Sequence, residues 1–210
     1  MADRKRSRSL LERAYDLRTS DEARSLYRDW ATSYDTDLVD PLGYVGPQRV
    51  ADIAAARCRD PNAHILDVGC GTGLVGQRLA YLGYTKLDGL DFSQEMLDVA
   101  RTKNVYVALM NADLTQPLSI KTASYDVIVS CGTFTHGHVG PDAFDELLRI
   151  TRTGGVFCIS INAEIYETNG FANKLGDLEN AGQILVEDQV TVPLMTEEPV
   201  DGIIVTLEKK

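Results

Sequence analysis

Nowhere in the 210 residues does an apolar run approach the roughly 18–20 that a membrane helix needs. The opening MADRKRSRSLLERAYDLR also lacks the apolar core of a signal peptide. Neither a membrane span nor secretion is expected, and the expected compartment is the cytoplasm. Cysteine is sparse: Cys58, Cys70, Cys131 and Cys158 form no CxxC pair, and no histidine follows at zinc-finger spacing. Free thiols are expected, with Cys158 packed in an apolar run. Internal repeats and low-complexity tracts are missing too. At 44% hydrophobic and 25% charged residues, disorder, a collagen-like fibre and a coiled coil are excluded. The length suits one domain with a small terminal extension.

Positive charge is short as well. The chain carries 21 basic and 31 acidic residues, a net of −10. Six of the bases (Arg4, Lys5, Arg6, Arg8, Arg13, Arg18) fall in the first eighteen residues, so the remainder is more acidic still. Such a surface repels phosphate backbones, and duplex nucleic acid is not an expected partner. The basic start reads as a frayed, solvated tail, with a nuclear-import or anionic-surface patch as the alternative.

What is present is alternation. Residues 21–33 read as a helix, 41–47 (PLGYVGP) as a break, and 48–58 as a second helix. Strands are expected at 64–68, 87–91, 105–110, 125–130 and 156–161. Helices are expected over 74–82, from the Ser93 cap to about Lys103, and from Pro141 with Phe144, Leu147, Leu148 and Thr151 on one face. Gly154-Gly155 is expected to close that last unit. This is the pattern of an α/β doubly wound, Rossmann-like parallel sheet. After a helix carrying Phe171, Leu175 and Leu178, the strands 184–192 and 203–209 are joined only by a loop. They should therefore pair antiparallel and complete a seven-stranded sheet. The division expected is 1–45 as basic tail and lid helices, and 46–210 as the catalytic domain.

The chemistry-bearing motif is LDVGCGTGLVG, residues 66–76, a buried strand running into Gly69, Gly71 and Gly73 and then a helix. Glycines let the backbone turn sharply and approach a ligand, and the helix N-terminus adds free N–H groups. Such a loop holds a nucleotide-like ligand at the carboxyl edge of the sheet. Gly71-x-Gly73-x-x-Gly76 spells the dinucleotide fingerprint, but its register is wrong, because the strand ends at Gly69. Asp67 would repel a pyrophosphate and suit an ammonium group, such as that of S-adenosylmethionine (SAM). Asp91, ending the second strand, can accept both ribose hydroxyls of either cofactor. Phe92 fits an adenine face or core packing equally. Asp113 stands where an adenine amino group needs an acceptor, or caps a turn.

LDVGCGTG, GLDFSQEML, Asp113, YDVIVSCG and ELLRITRTGG occur in the order found in class I SAM-dependent methyltransferases, which residues 63–161 resemble. WATSYDTDL, GYVGPQ and CGTFTHGHV extend the similarity, more narrowly, to the methyltransferase-like protein of the Williams–Beuren syndrome chromosome region. The resemblance implies SAM as cofactor, with Gly69, Cys70, Gly71 and Gly73 on its methionine part and Asp91 on the ribose. It further implies Phe92 and Met96 flanking the adenine, Asp113 and Leu114 at its edge, and Ser130 and Cys131 on the floor near the sulfonium. Tyr34 and Trp30 resemble the family's N-terminal lid, Trp30 reading equally as a packing anchor.

After the fourth strand come Ser130, Cys131, Gly132, Thr133 and Phe134. A proline–proline–aromatic element, a Pro-Cys pair and a carboxylate are all missing there. This disfavours amino methylation of DNA bases or glutamine, cytosine C5 chemistry and a Mg²⁺ site. Metal-free transfer to a small molecule remains the expectation. His136 and His138 are the candidate general bases, or solvated loop residues. His64 reads as structural. Two other functions compete. A NAD(P)-dependent oxidoreductase would need a Tyr-x-x-x-Lys pair or similar base after the fourth strand, and none occurs. A non-catalytic SAM-binding module would need no acceptor pocket.

Overall fold

The computed structural model describes residues 2–17, 19–137 and 139–210, without the side chains of Ala2, Asp3, Ser20 and Asp21. His138 therefore lies outside the described residues. The strands are β1 Ile65–Val68, β2 Leu87–Asp91, β3 Ala108–Asn111, β4 Tyr125–Phe134, β5 Thr151–Asn162, β6 Ile184–Pro193 and β7 Asp201–Lys209. They form one sheet in the order β3-β2-β1-β4-β5-β7-β6. Pairing is parallel from β3 to β5, while β7 runs antiparallel to both β5 and β6.

Side chains of successive strand residues alternate between two cores. Leu66, Val68 and Ile128 pack towards α7 (Ala143–Ile150) and α9 (Phe171–Asn180), through Phe144, Leu147, Phe171 and Leu175. Ile65, Val127 and Val129 pack the other way, on Val50 of α4 (Gly46–Arg57) and Leu79 of α5 (Leu74–Tyr81). α6 (Gln94–Thr102) starts where the Ser93 hydroxyl accepts the Met96 N–H, a cap of the kind that contributes about 1 kcal/mol.

A third apolar cluster lies over the carboxyl edge of the sheet. It joins α1 (Ala2–Tyr15), α2 (Ser20–Trp30) and α3 (Tyr34–Leu42) to the β6–β7 connection through Ala14, Leu26, Trp30, Leu38, Leu194 and Met195. The start of the chain is thus no frayed tail. Leu10, Leu11, Ala14 and Tyr15 give α1 an apolar stripe. Arg8 Nε donates to Glu198 Oε1 at 2.5 Å, and Arg4 donates to the Glu197 carbonyl at 2.6 Å.

Other boundaries move for physical reasons. α3 carries Pro41 in its last turn, and the break comes only at Gly43. β3 begins at Ala108 rather than Val105, because the Tyr106 side chain turns inward to Asp67. β5 begins at Thr151, whose hydroxyl donates to the Leu147 carbonyl and ends α7, and Gly154-Gly155 lie within that strand across a register shift against β4. The short α8 (Ala163–Tyr166) follows β5.

Candidate active site

The strand order reverses between β1 and β4, with β2 on one side and β5 on the other, and ligands settle at the carboxyl end of such a switch point. A cleft of about 790 Å³, its open mouth included, lies there. Its floor is the glycine loop. Gly69 and Gly71 have φ of +64° and +52°, the left-handed region open chiefly to glycine. Cys70 N–H is tied to the Leu90 carbonyl at 3.0 Å, which fixes the loop to β2. An added Cβ on Gly71 would meet nothing within 4 Å, so the loop backbone is bare towards the cleft.

Asp91 anchors the far side. Its Oδ2 accepts Gly71 N–H at 2.8 Å and its Oδ1 accepts Ser93 N–H at 2.9 Å. Burial pushes this carboxyl up to about 6, against the pull of those N–H groups. A carboxylate accepts about four hydrogen bonds. The Phe92 N–H is drawn towards the carboxylate as well, which leaves at least one acceptor place for a ribose hydroxyl.

Phe92, Met96, Asp113, Leu114, Cys131 and Tyr34 also line the cleft. Phe92 is not a core residue: Tyr27 meets its ring edge-on at 6.1 Å, and the Arg24 guanidinium lies 5.4 Å from its centre. Asp113 accepts Thr115 N–H at 2.9 Å and Arg24 at 3.4 Å. Burial pushes it up, but these partners outweigh burial and hold it below the usual carboxylate range. Burial pushes the Cys131 thiol up to about 11 despite hydrogen bonds from Tyr44 and Ser160, which makes it a wall and not a nucleophile.

Four expected residues stand elsewhere. Ser130 is fully buried, its hydroxyl donating to the Val68 carbonyl at 2.7 Å, so it ties β4 to β1 instead of flooring the cleft. Gly73 stays out of the wall and makes room for the Tyr106 ring, 2.9 Å from where a Cβ would stand. Asp67 lies beneath the loop, where its Oδ2 accepts the Tyr106 hydroxyl at 2.6 Å and its Oδ1 is buried without a hydrogen-bond partner. Burial pushes Asp67 up to about 7, with the Tyr106 hydroxyl and the Gly76 N–H opposing. His136 faces neither the cleft nor its neighbouring cavity. Its ring packs on Tyr15 at 5.5 Å, and Nε2 stands 3.4 Å from Glu164.

Gly76 has an explanation that needs no pyrophosphate. A Cβ there would lie 2.3 Å from the Tyr106 ring, so this third glycine of the apparent fingerprint exists for a tyrosine. Tyr106, Tyr27, Tyr44 and Thr133 are site residues that sequence reading missed. Tyr44 was within reach, since it sits in the quoted GYVGPQ. The others act through contacts between distant parts of the chain.

A methyltransferase domain family matches residues 65–155, the stretch carrying the loop, Asp91 and Asp113. The chain is also 33% identical over 162 residues to human methyltransferase-like protein 27, covering 74% of this chain and 65% of the relative. Over this stretch the chain is similar to the class I SAM-dependent methyltransferases. The chain is also 36% identical over 110 residues to malonyl-[acyl-carrier protein] O-methyltransferase of Buchnera aphidicola, covering 51% of the chain and 44% of the relative. It spans less than two thirds of the human relative and under half of the bacterial one. Among solved structures, magnesium protoporphyrin IX methyltransferase of Synechocystis PCC 6803 with bound SAM superposes with a TM-score of 0.64 at 20% identity, covering 89% of this chain and 97% of that one. The [4+2]-cyclase SpnF superposes with 0.69 at 17% identity, covering 92% and 97%. Both likenesses are of fold.

Proposed function

We propose that this chain is an active SAM-dependent methyltransferase that modifies a small-molecule acceptor without a metal ion. The observation that carries the reading is the Asp91 carboxylate, locked by Gly71 and Ser93 with acceptor capacity left over beside a bare glycine loop. In this reading Gly69, Cys70 and Gly71 hold the methionine part, Asp91 the ribose, and Phe92, Met96 and Leu114 the adenine. The buried Asp67 Oδ1, without a hydrogen-bond partner, leaves an open polar atom on the underside of the loop. Bound SAM supplies a methyl group already activated on a sulfonium.

The chain's own residues then have two tasks. Tyr27, Tyr34 and Tyr44 cover the cleft and exclude water. The walls orient the acceptor, and orientation with desolvation is worth about 7–11 kcal/mol of such a barrier. After β4 no carboxylate faces the cleft, which supports the metal-free reading; among the described residues, no three His, Cys, Asp or Glu side chains stand where they would hold a metal. Because His136 lies behind Tyr15, we assign it a positioning role for Tyr15 and not contact with the acceptor. Residues 1–45 act as the lid on a domain formed by 46–210. Four free cysteines fit a cytoplasmic setting, and no helix of the described residues is long and apolar enough to cross a membrane.

Calorimetric titration with SAM, S-adenosylhomocysteine and NAD⁺ tests the cofactor. Micromolar binding of the first two, lost in Asp91→Asn, is the expected result. Binding of NAD⁺ instead overturns it. Release of S-adenosylhomocysteine on addition of hydroxylated small molecules then separates an enzyme from a binding module.

A further inference from the structure

Beyond the cleft lies a second cavity of about 550 Å³, its opening included, which shares Tyr27, Tyr34, Tyr44 and Gly132 with the first. Its roof is Leu11 and Ala14 of α1 together with Leu194, Met195 and Val200 of the β6–β7 connection. Trp30, 2% exposed, forms a side wall and is the chain's single tryptophan.

The chemistry of this chamber is one-sided. Among the described residues, no Lys, Arg, His, Asp or Glu side chain lines it. Apart from the hydroxyls of Tyr15, Tyr27, Tyr34 and Tyr44 and the Trp30 indole, which donates to Asp37, its polar groups gather at the ends of β4 and β5. Two of them are already engaged: Asn162 Oδ1 accepts Glu164 N–H at 2.9 Å, and the Ser160 hydroxyl accepts Gly132 N–H at 3.4 Å. The third is Thr135, whose residue is 9% exposed and whose Oγ1 is buried without any hydrogen-bond partner. A buried hydroxyl left unpaired is costly, and a turn of the Thr135 side chain into the chamber would let a guest bearing one polar group satisfy it. A charged guest would lose its hydration and find no counter-charge.

We infer that the chamber is the acceptor site and that it selects an uncharged, mainly apolar molecule with one hydroxyl-type group directed at Thr135. This rests on the methyltransferase reading above, and it narrows the acceptor class. Acidic metabolites, phosphorylated compounds and protonated amines are thereby excluded. The aromatic walls do not by themselves make a cation cage, because no carboxylate accompanies them.

Three probes of one skeleton test the inference: geraniol, geranate and geranylammonium, titrated at neutral pH into protein saturated with S-adenosylhomocysteine. Calorimetry gives affinity, and Trp30 emission reports occupancy of this chamber. Geraniol is expected to bind and shift the emission, with both charged analogues weaker by about ten-fold or more. Thr135→Val is expected to weaken geraniol about five- to ten-fold, the loss of one hydrogen bond, without changing affinity for S-adenosylhomocysteine. Met195→Lys should reverse the order and favour geranate. Equal or tighter binding of either charged probe by the unaltered protein overturns the inference, as does failure of all three while S-adenosylhomocysteine binds. If S-adenosylhomocysteine itself does not bind, the cofactor reading falls and the inference falls with it.

Discussion

Asp35 of α3 accepts the Thr72 hydroxyl of the glycine loop, while its second carboxylate oxygen accepts Lys103 Nζ at 2.6 Å. One side chain thus joins α3, part of the proposed lid, to the loop and to the end of α6. Removing it should loosen closure more than it harms folding. Asp35→Ala is expected to speed release of S-adenosylhomocysteine by about three- to ten-fold, the weight of one or two hydrogen bonds. Stopped-flow Trp30 fluorescence measures this, and an unchanged release rate would mean that the lid does not gate the cleft.

Two neighbouring glycines should fail in different ways. A Cβ on Gly69 would lie 1.9 Å from Thr133 Oγ1 at a φ of +64°, so Gly69→Ala must displace β4's end and should lower the melting temperature strongly. A Cβ on Gly71 meets open space, so Gly71→Ala carries only the left-handed penalty of about 1–2 kcal/mol. That corresponds to a fall of about 2–8 °C. Its methyl, however, enters the ligand's place. Calorimetry should show Gly71→Ala losing more than about ten-fold in cofactor affinity at modest thermal cost.

Stability and binding should depend on pH in opposite directions. Asp67 and Asp91 have folded values of about 7 and about 6, raised by burial above the unfolded carboxylate range. The folded state therefore holds protons that the unfolded state has released, and stability falls as pH rises from about 4 to 7. Asp98, Asp113 and Glu146 are shifted down, and their contribution disappears only below about pH 4. Between pH 5 and 8 the ligand-free melting temperature should fall. The shift induced by S-adenosylhomocysteine should grow, because the ionised Asp91 is the better acceptor. Thermal scans across that window decide it, and parallel curves with and without ligand would remove Asp91 from the binding site.

The pair of Arg8 with Glu198 ties α1 to the β6–β7 connection, the two segments that roof the inner chamber. Arg8 is exposed, so its loss should barely move the melting temperature. Entry is another matter. Arg8→Ala, or added salt with the unaltered protein, should raise the association rate of a neutral probe such as geraniol. A rate insensitive to both would place the entrance elsewhere.

The local parts of this molecule were legible in the sequence. β2 was placed residue for residue, the glycine loop announced the cleft, and the loop-only link between the last strands implied their antiparallel pairing. What escaped depends on contacts that no periodicity encodes. Tyr106 meets Asp67 across 39 residues of chain, and Arg8 meets Glu198 across 190. Ser130 shows the limit of position alone: it stands on the expected strand, but its side chain turns towards Val68, while that of Cys131, next along, reaches the cleft. α1 was read as a solvated tail because its charges dominate its composition, while its apolar stripe has meaning only against residues 194–200.

The reversal of β7 sets Gly202 opposite Asn162, so the chain re-enters the sheet at the edge where the ligand cleft opens. The segment 194–200 is therefore delivered over the inner chamber by a ladder that shares no strand with the glycine loop or Asp91. Selectivity behaves in this fold as an exchangeable cassette. If the proposed sites are right, substituting that segment retunes which acceptor is admitted, while the proposed cofactor residues between 65 and 114 are left intact.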